Sequence, residues 1–208
     1  FINLYYTATR GSLLGFFGGA FLTAFLVAVF ERQSKVVRKG AISALALMIL
    51  FLGFFLAFKN SDFIKTNPVL GRFSDISVTS GSTNARFLIW NMSLQGFKEH
   101  PVLGWGPDNY MFLFNKYYNP KMYAQEQWFD RSHNVFFDWL ISAGVLGLGL
   151  YLSLFVIALY YLWKKITDWG LVEKSLFTGL LLAYFVHNIF VLDQLISYLS
   201  FFSLLSYF

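Results

Sequence analysis

Long apolar runs alternate with short charged turns along this chain, and one interruption is far longer than the others. Gly11 to Phe30 carries no charged residue; about 20 such positions make roughly 30 Å of helix, the thickness of a bilayer's hydrocarbon. The turn Glu31 to Lys39 follows, then a second apolar run from Ala41 to Phe58. Val135 to Trp163 is a third run, longer than a span needs, so its first turns are expected to project from the bilayer or to tilt. Ser175 to Leu192 makes a fourth and Leu195 to Phe208 starts a fifth. The pattern predicts an all-α fold: a polytopic transmembrane helix bundle with spans near 11–30, 41–58, 135–163, 175–192 and 195–208, and one long polar loop over 59–134. Because the chain begins and ends within apolar stretches, it is expected to be part of a longer membrane protein.

Inside the long loop the pattern changes. Ser74 to Asn84 is rich in Ser, Thr and Gly and reads as an exposed loop. Asn84 to Lys98 has helical spacing, with Phe87, Trp90, Leu94 and Phe97 on one face. His100 to Pro107 ends that helix with two prolines and two glycines. Asp108 to Tyr118 reads as a short amphipathic helix that lies on the membrane or folds over the bundle. Phe1 to Arg10 is a polar-aromatic approach of the kind found at a membrane interface. Most informative is Asp130 to Leu140, where a polar loop carrying Arg131, His133 and Asn134 runs directly into an apolar helix.

Composition decides the environment. Hydrophobic residues make up 57% of the 208, Phe alone occurs 26 times, and only 13% are charged; soluble domains average about 25% charged. That much apolar surface needs lipid as well as a protein core. The net charge of +5 would point to nucleic acid were it gathered on one face. Instead Arg32, Lys35, Arg38 and Lys39 share one short turn, and Lys164, Lys165 and Lys174 another. Short basic turns between spans report orientation, so both are expected to be cytoplasmic, with Arg10 and the 59–134 loop outside. Cysteine is absent, which excludes disulfides and thiolate metal sites.

With that topology Arg10, Arg86, Arg131 and His133 all lie on the outer side. Several guanidinium groups near one imidazole are suited to an anion. Arginine holds phosphate oxygens through a planar, permanently charged fork, and an imidazole is the usual base for a hydroxyl proton. Each residue also has a plainer reading. Arg10 anchors at the interface as well as any snorkelling arginine, Arg86 and Arg131 pair with loop carboxylates such as Asp75 or Asp130, and His133 or Asn134 caps a helix. His100, at a helix exit before Pro101, reads as structural. His187, within the fourth span, is either a functional group or paired to a polar neighbour. The scattered histidines give no metal-ligand spacing, and no phosphate-binding glycine loop is present.

Four segments in order carry a family likeness: Thr9-Arg10-Gly11-Ser12 opening a glycine-bearing span, Arg86-Phe87-Leu88-Ile89-Trp90 in the loop, His100-Pro101-Val102-Leu103-Gly104-Trp105-Gly106, and Ser132-His133-Asn134 followed by Gly144-Val145-Leu146-Gly147. Together they resemble the O-antigen ligase and Wzy-type polymerase superfamily, over about Thr9 to Gly149, and His187 to Asp193 looks like its closing helices. The resemblance implies a bacterial inner-membrane enzyme with roughly twice as many spans and its site facing the periplasm. It implies an inverting, metal-independent glycosyltransferase, needing no cofactor. The donor would be a glycan on undecaprenyl diphosphate, and the acceptor a hydroxyl on lipid A core, a growing glycan or a protein. By motif, Arg10 and Arg86 would hold the diphosphate and His133 would activate the acceptor. Arg131, Asn134, His100 and Trp105 are candidate substrate contacts beside them. The alternative is a transporter or flippase segment binding an anion in transit. Such a protein carries ionisable groups near the bilayer midplane, and here only His187 stands clearly inside a span, which favours an enzyme.

Overall fold

The computed structural model describes residues 10–67, 71, 81–123, 128–164 and 169–206. Among these, the chain is all-helical: α1 (Arg10–Phe30), α2 (Lys35–Phe58), α3 (Asp62–Thr66), α4 (Gly81–Phe97), α5 (Tyr110–Lys116), a 3-10 turn (Pro120–Met122), α6 (Val135–Trp163), α7 (Leu171–Phe190) and α8 (Leu195–Leu205). The aromatic approach at 1–9 and most of the Ser/Thr/Gly-rich stretch, 74–80, lie outside the described residues; positions 81–84 of that stretch are helical. Three helices are long and apolar enough to cross a membrane: α1 from Gly11, α2 and α6. α7 spans 20 residues, but Glu173, Lys174, His187 and Asn188 dilute its apolar character. α2 starts at Lys35, within the basic turn, because Ser34 caps it by accepting from the Val37 amide at 3.3 Å. Lysine and arginine are good helix formers, so charge alone does not end the helix.

The chain divides into two units. The first holds α1, α2, α3, the end of α6 and most of α7. Here α1 and α7 meet through small residues. A Cβ on Gly15 would come 2.5 Å from the Ala183 carbonyl oxygen, and one on Gly19 would collide with the Gly179 carbonyl. Such close approach is what holds helices together where lipid removes the hydrophobic incentive. Gly18, on the same helix, has open space around it. Thr23 donates across the contact to the Ser175 carbonyl at 3.2 Å, and His187 Nδ1 lies 3.1 Å from Ser12 Oγ. The intramembrane histidine thus has a polar neighbour. α2 packs on α1, with Phe17 stacked on Phe51, but buries no residue of its own; Leu47 and Leu50 are 67% and 68% exposed. A helix that apolar and that open is a lipid-facing one.

The second unit holds α4, α5, most of α6, the end of α7 and α8. Its core is built by Ile89 and Met92 of α4, Tyr110, Leu113 and Phe114 of α5, Met122, Phe129 and Ile141. This is not the α4 face read from periodicity: Phe87 and Leu94 are exposed, Trp90 and Phe97 only half-buried. α4 is apolar around most of its circumference at 87–90, so two stripes compete. The stripe with small residues wins, because α5 then approaches until Leu113 fills the space a Cβ on Gly96 would need. α5 is amphipathic as expected, exposing Phe112 while folding its other face onto α4. The Tyr110 hydroxyl lies 2.8 Å from Ser93 Oγ inside this core, and burial raises its phenol well above the ordinary tyrosine range. At the edge, Lys116 Nζ lies 2.7 Å from each Glu99 oxygen and Tyr117 donates to the same carboxylate. Those bonds, Lys116 first, hold Glu99 below the ordinary carboxylate range.

α6 is interrupted partway along its length. Gly144 has φ 66° and ψ −162°, a conformation open only to glycine. The segment His100–Gly106 is stitched into the gap: Trp105 N donates to Ile141 O at 2.7 Å, Gly106 N to Ser142 O at 3.0 Å, and Val145 N to Pro101 O at 2.9 Å. Gly104, also at positive φ, lies so close that a Cβ would stand 2.7 Å from the amide nitrogens of Ala143 and Gly144. Beyond the break roughly 19 residues of α6 remain, about 28 Å of helix, one bilayer's worth. Gly144→Ala forces a side chain against the Val102 carbonyl and should cost at least about 1–3 kcal/mol, lowering the thermal midpoint in detergent. Gly149→Ala, with open space around it, should leave the midpoint within about 2 °C or raise it.

Candidate functional site

The loop entering α6 is held by a compact set of polar bonds. Asn134 accepts at Oδ1 from the amides of Phe136 (2.9 Å) and Phe137 (3.3 Å), so it is the helix cap. Ser132 is fully buried. Its amide donates to Asp138 Oδ1 at 2.8 Å, and its hydroxyl lies 2.7 Å from the same oxygen and 2.8 Å from the Asn134 carbonyl. The hydroxyl's single proton serves one of those acceptors at a time. From the other side, the Trp90 indole donates to the Ser132 carbonyl at 3.2 Å and stacks on Phe137.

His133 stands between these two pinned residues with φ 54°. A histidine in the left-handed region is uncommon. The ring is half-buried and meets Phe129 edge-on, centroids 5.2 Å apart. Among the described residues, neither ring nitrogen takes a hydrogen bond, so the loop holds His133 by its backbone.

The arginines are distributed unevenly. Arg86 lies one turn before Trp90 on α4, half-buried, with its guanidinium 5.9 Å from the Phe190 ring centre. Arg131 is exposed and pairs with Asp108 Oδ1 at 3.6 Å, a loop ion pair of the kind anticipated but with a different partner. Arg10 opens α1 and belongs to the first unit, whereas Arg86, Arg131 and His133 belong to the second. Trp105 sends its indole N–H to the Gly96 carbonyl at 2.8 Å and meets the exposed His100 ring edge-on at 4.8 Å. Both fasten the loop that fills the α6 break.

A family model described as O-antigen ligase matches residues 1–152, close to three quarters of the chain. The chain belongs to the O-antigen ligase family. No curated protein matches it. Membership makes this a membrane protein with a glycan-transferring, ligase-type role. The matched region contains the Arg10 turn, α4, the His100–Gly106 segment, the His133 loop and the Gly144 break. Within the matched region the second and fourth of the likeness-bearing segments are physically joined through Trp90 and Ser132, and the third is joined to Gly144.

Two residues that hold the His133 loop escaped sequence reading. Asp138, in the first turn of α6, is a second ionisable group inside an apolar segment besides His187; that rarity was the available signal. Trp90 was visible as an apolar position but not as the donor that pins the loop. Asp138→Ala removes both bonds to Ser132 and leaves a buried amide unsatisfied, which should cost about 1–3 kcal/mol. Asn134→Ala, losing the cap, should cost about 1 kcal/mol. Unfolding of the two variants in detergent, followed by differential scanning fluorimetry, checks both values and their order.

Proposed function

We propose that the protein transfers a glycan from undecaprenyl diphosphate to an acceptor hydroxyl on the periplasmic side of the bacterial inner membrane. The acceptor hydroxyl attacks the sugar's anomeric carbon with inversion, the bond to the diphosphate oxygen breaks, and the hydroxyl proton passes to the His133 imidazole. Arg86 stabilises the departing diphosphate, a task that a permanently charged fork performs without a metal. The observation that carries this reading is the 3.2 Å bond from Trp90 to the Ser132 carbonyl. It couples the helix bearing Arg86 to the loop bearing His133, whose ring nitrogens are uncommitted among the described residues. The polar groups within apolar helices support an enzyme over a transporter: His187 lies against Ser12 and Asp138 accepts from Ser132, so each serves a structural bond. Lipid delivery of the donor accounts for a site where a polar loop meets an apolar helix.

The test is glycan transfer by the protein in proteoliposomes, with an undecaprenyl-diphosphate-linked donor and defined acceptors. His133→Ala should lower kcat by about 10²–10⁴-fold. Arg86→Lys keeps the charge but loses the fork, and should lower kcat/KM by about tenfold or more. Unchanged turnover in His133→Ala and Arg86→Lys would remove the proposed site. Product analysis then separates lipid A core, glycan and protein acceptors.

A further inference from the structure

A cleft of about 220 Å³ lies in the second unit, beside the α6 break. Gly106 and Ser142, bonded to each other across the break, both line it, together with Asp108, Asp130, Arg131, Asp138, Trp139 and Tyr198. We infer that this cleft is a subsite for a single uncharged sugar ring of the glycan or acceptor, an inference that rests on the glycan-transfer reading above.

Size sets the first limit. Pockets for drug-sized ligands run to about 300–1,000 Å³, so this one admits a single ring and not a chain. Charge sets the second. The lining carboxylates outnumber the one guanidinium, and Arg131 already lies 3.6 Å from Asp108. A phosphate or an acidic sugar would face like charges at short range. The diphosphate therefore has its place elsewhere, and Arg131 is not one of its clamps. A neutral ring meets the opposite situation, because its hydroxyls are donors and carboxylates are strong acceptors. Asp130 is exposed at the cleft. The apolar C–H surface of the ring needs an aromatic partner, which Trp139 and Tyr198 provide. Trp139 is pre-set for that role: its ring is stacked on Tyr151 at 5.3 Å and 17°, so little freedom is lost on binding. Ser132, which Asp138 holds, is the residue before His133. A ring seated against Asp138 is thus one hydrogen bond from the loop that carries the proposed base.

Saturation-transfer NMR on the protein in detergent micelles tests the site directly, using methyl glucoside, methyl N-acetylglucosaminide and methyl glucuronide as probes. Transfer should reach the two neutral glycosides and fall at least about fivefold for the glucuronide. Trp139→Phe should weaken the neutral signals, and Asp130→Asn should narrow the discrimination against glucuronide. No signal from neutral glycosides, or equal signals from all three in the native protein, overturns the subsite, as does a pattern unaltered by both substitutions. In the transfer assay Asp130→Asn should raise KM about tenfold, the effect of one lost charge-assisted hydrogen bond. A rise for the lipid-linked donor assigns the ring to the donor glycan, a rise for the acceptor assigns it there, and no rise in either overturns the proposal. His133→Ala separates the two readings. Retained glycoside binding with lost transfer supports both, whereas His133-dependent transfer without glycoside binding sinks only the subsite. Glycoside binding with turnover that ignores His133 and Arg86 sinks only the transfer site.

Discussion

Backbone amides and carbonyls in an apolar environment must find partners, and the second unit is arranged around one place where α6 alone does not supply them. A helix that breaks forfeits its own bonds at the break, and other groups must replace them. At Gly144 the replacements come from Pro101, Trp105 and Gly106. The segment that supplies them is the exit of α4 and the entry to α5, so the same three bonds fix where the buried core of the unit sits. Trp105, whose amide bonds to Ile141, also places its indole against Gly96, and Ile141 itself belongs to the buried cluster. The short first part of α6 is thereby held from behind, while Asn134 and Asp138 organise the loop at its front.

That arrangement accounts for the state of His133. A loop residue ordinarily gains order from its own side chain's bonds, which leaves the side chain occupied. Here order comes from the neighbours: Ser132 is bound to Asp138 and to Trp90, and Asn134 spends its amide oxygen on the helix end. The imidazole is carried without being consumed. The cost is a left-handed backbone at a non-glycine residue, of order 1 kcal/mol, and strain of that kind is stable only where surrounding bonds over-determine it.

The same economy holds in the apolar helices. Ser12 with His187, Thr23 with the Ser175 carbonyl, and Asn188 with the Tyr151 hydroxyl each join a polar side chain to a partner across helices. A lone polar group there would be costly, so each acts as a fastener. Gly15, Gly19 and Gly179 do the complementary work by removing the side chains that would keep α1 and α7 apart.

Much of this was legible from the chain. The apolar runs follow from length and composition, because a bilayer demands about 20 uncharged positions whatever the neighbours are, and α1, α2 and α6 answer to that rule. The loop helices were legible as helices, and Asn134 as a possible cap, since capping depends on residues two and three positions away. What was not legible depends on distant partners. Which stripe of α4 is buried was decided by the fit of Leu113 against Gly96. The meaning of Gly104 and Gly144 was decided by each other, two glycines forty positions apart whose only shared property in sequence is a missing side chain. The role of Asp138 was decided by a serine one loop away. Periodicity and local capping report a residue's relation to its own helix, whereas close approach and long-range bonding exist only after the chain has folded back on itself.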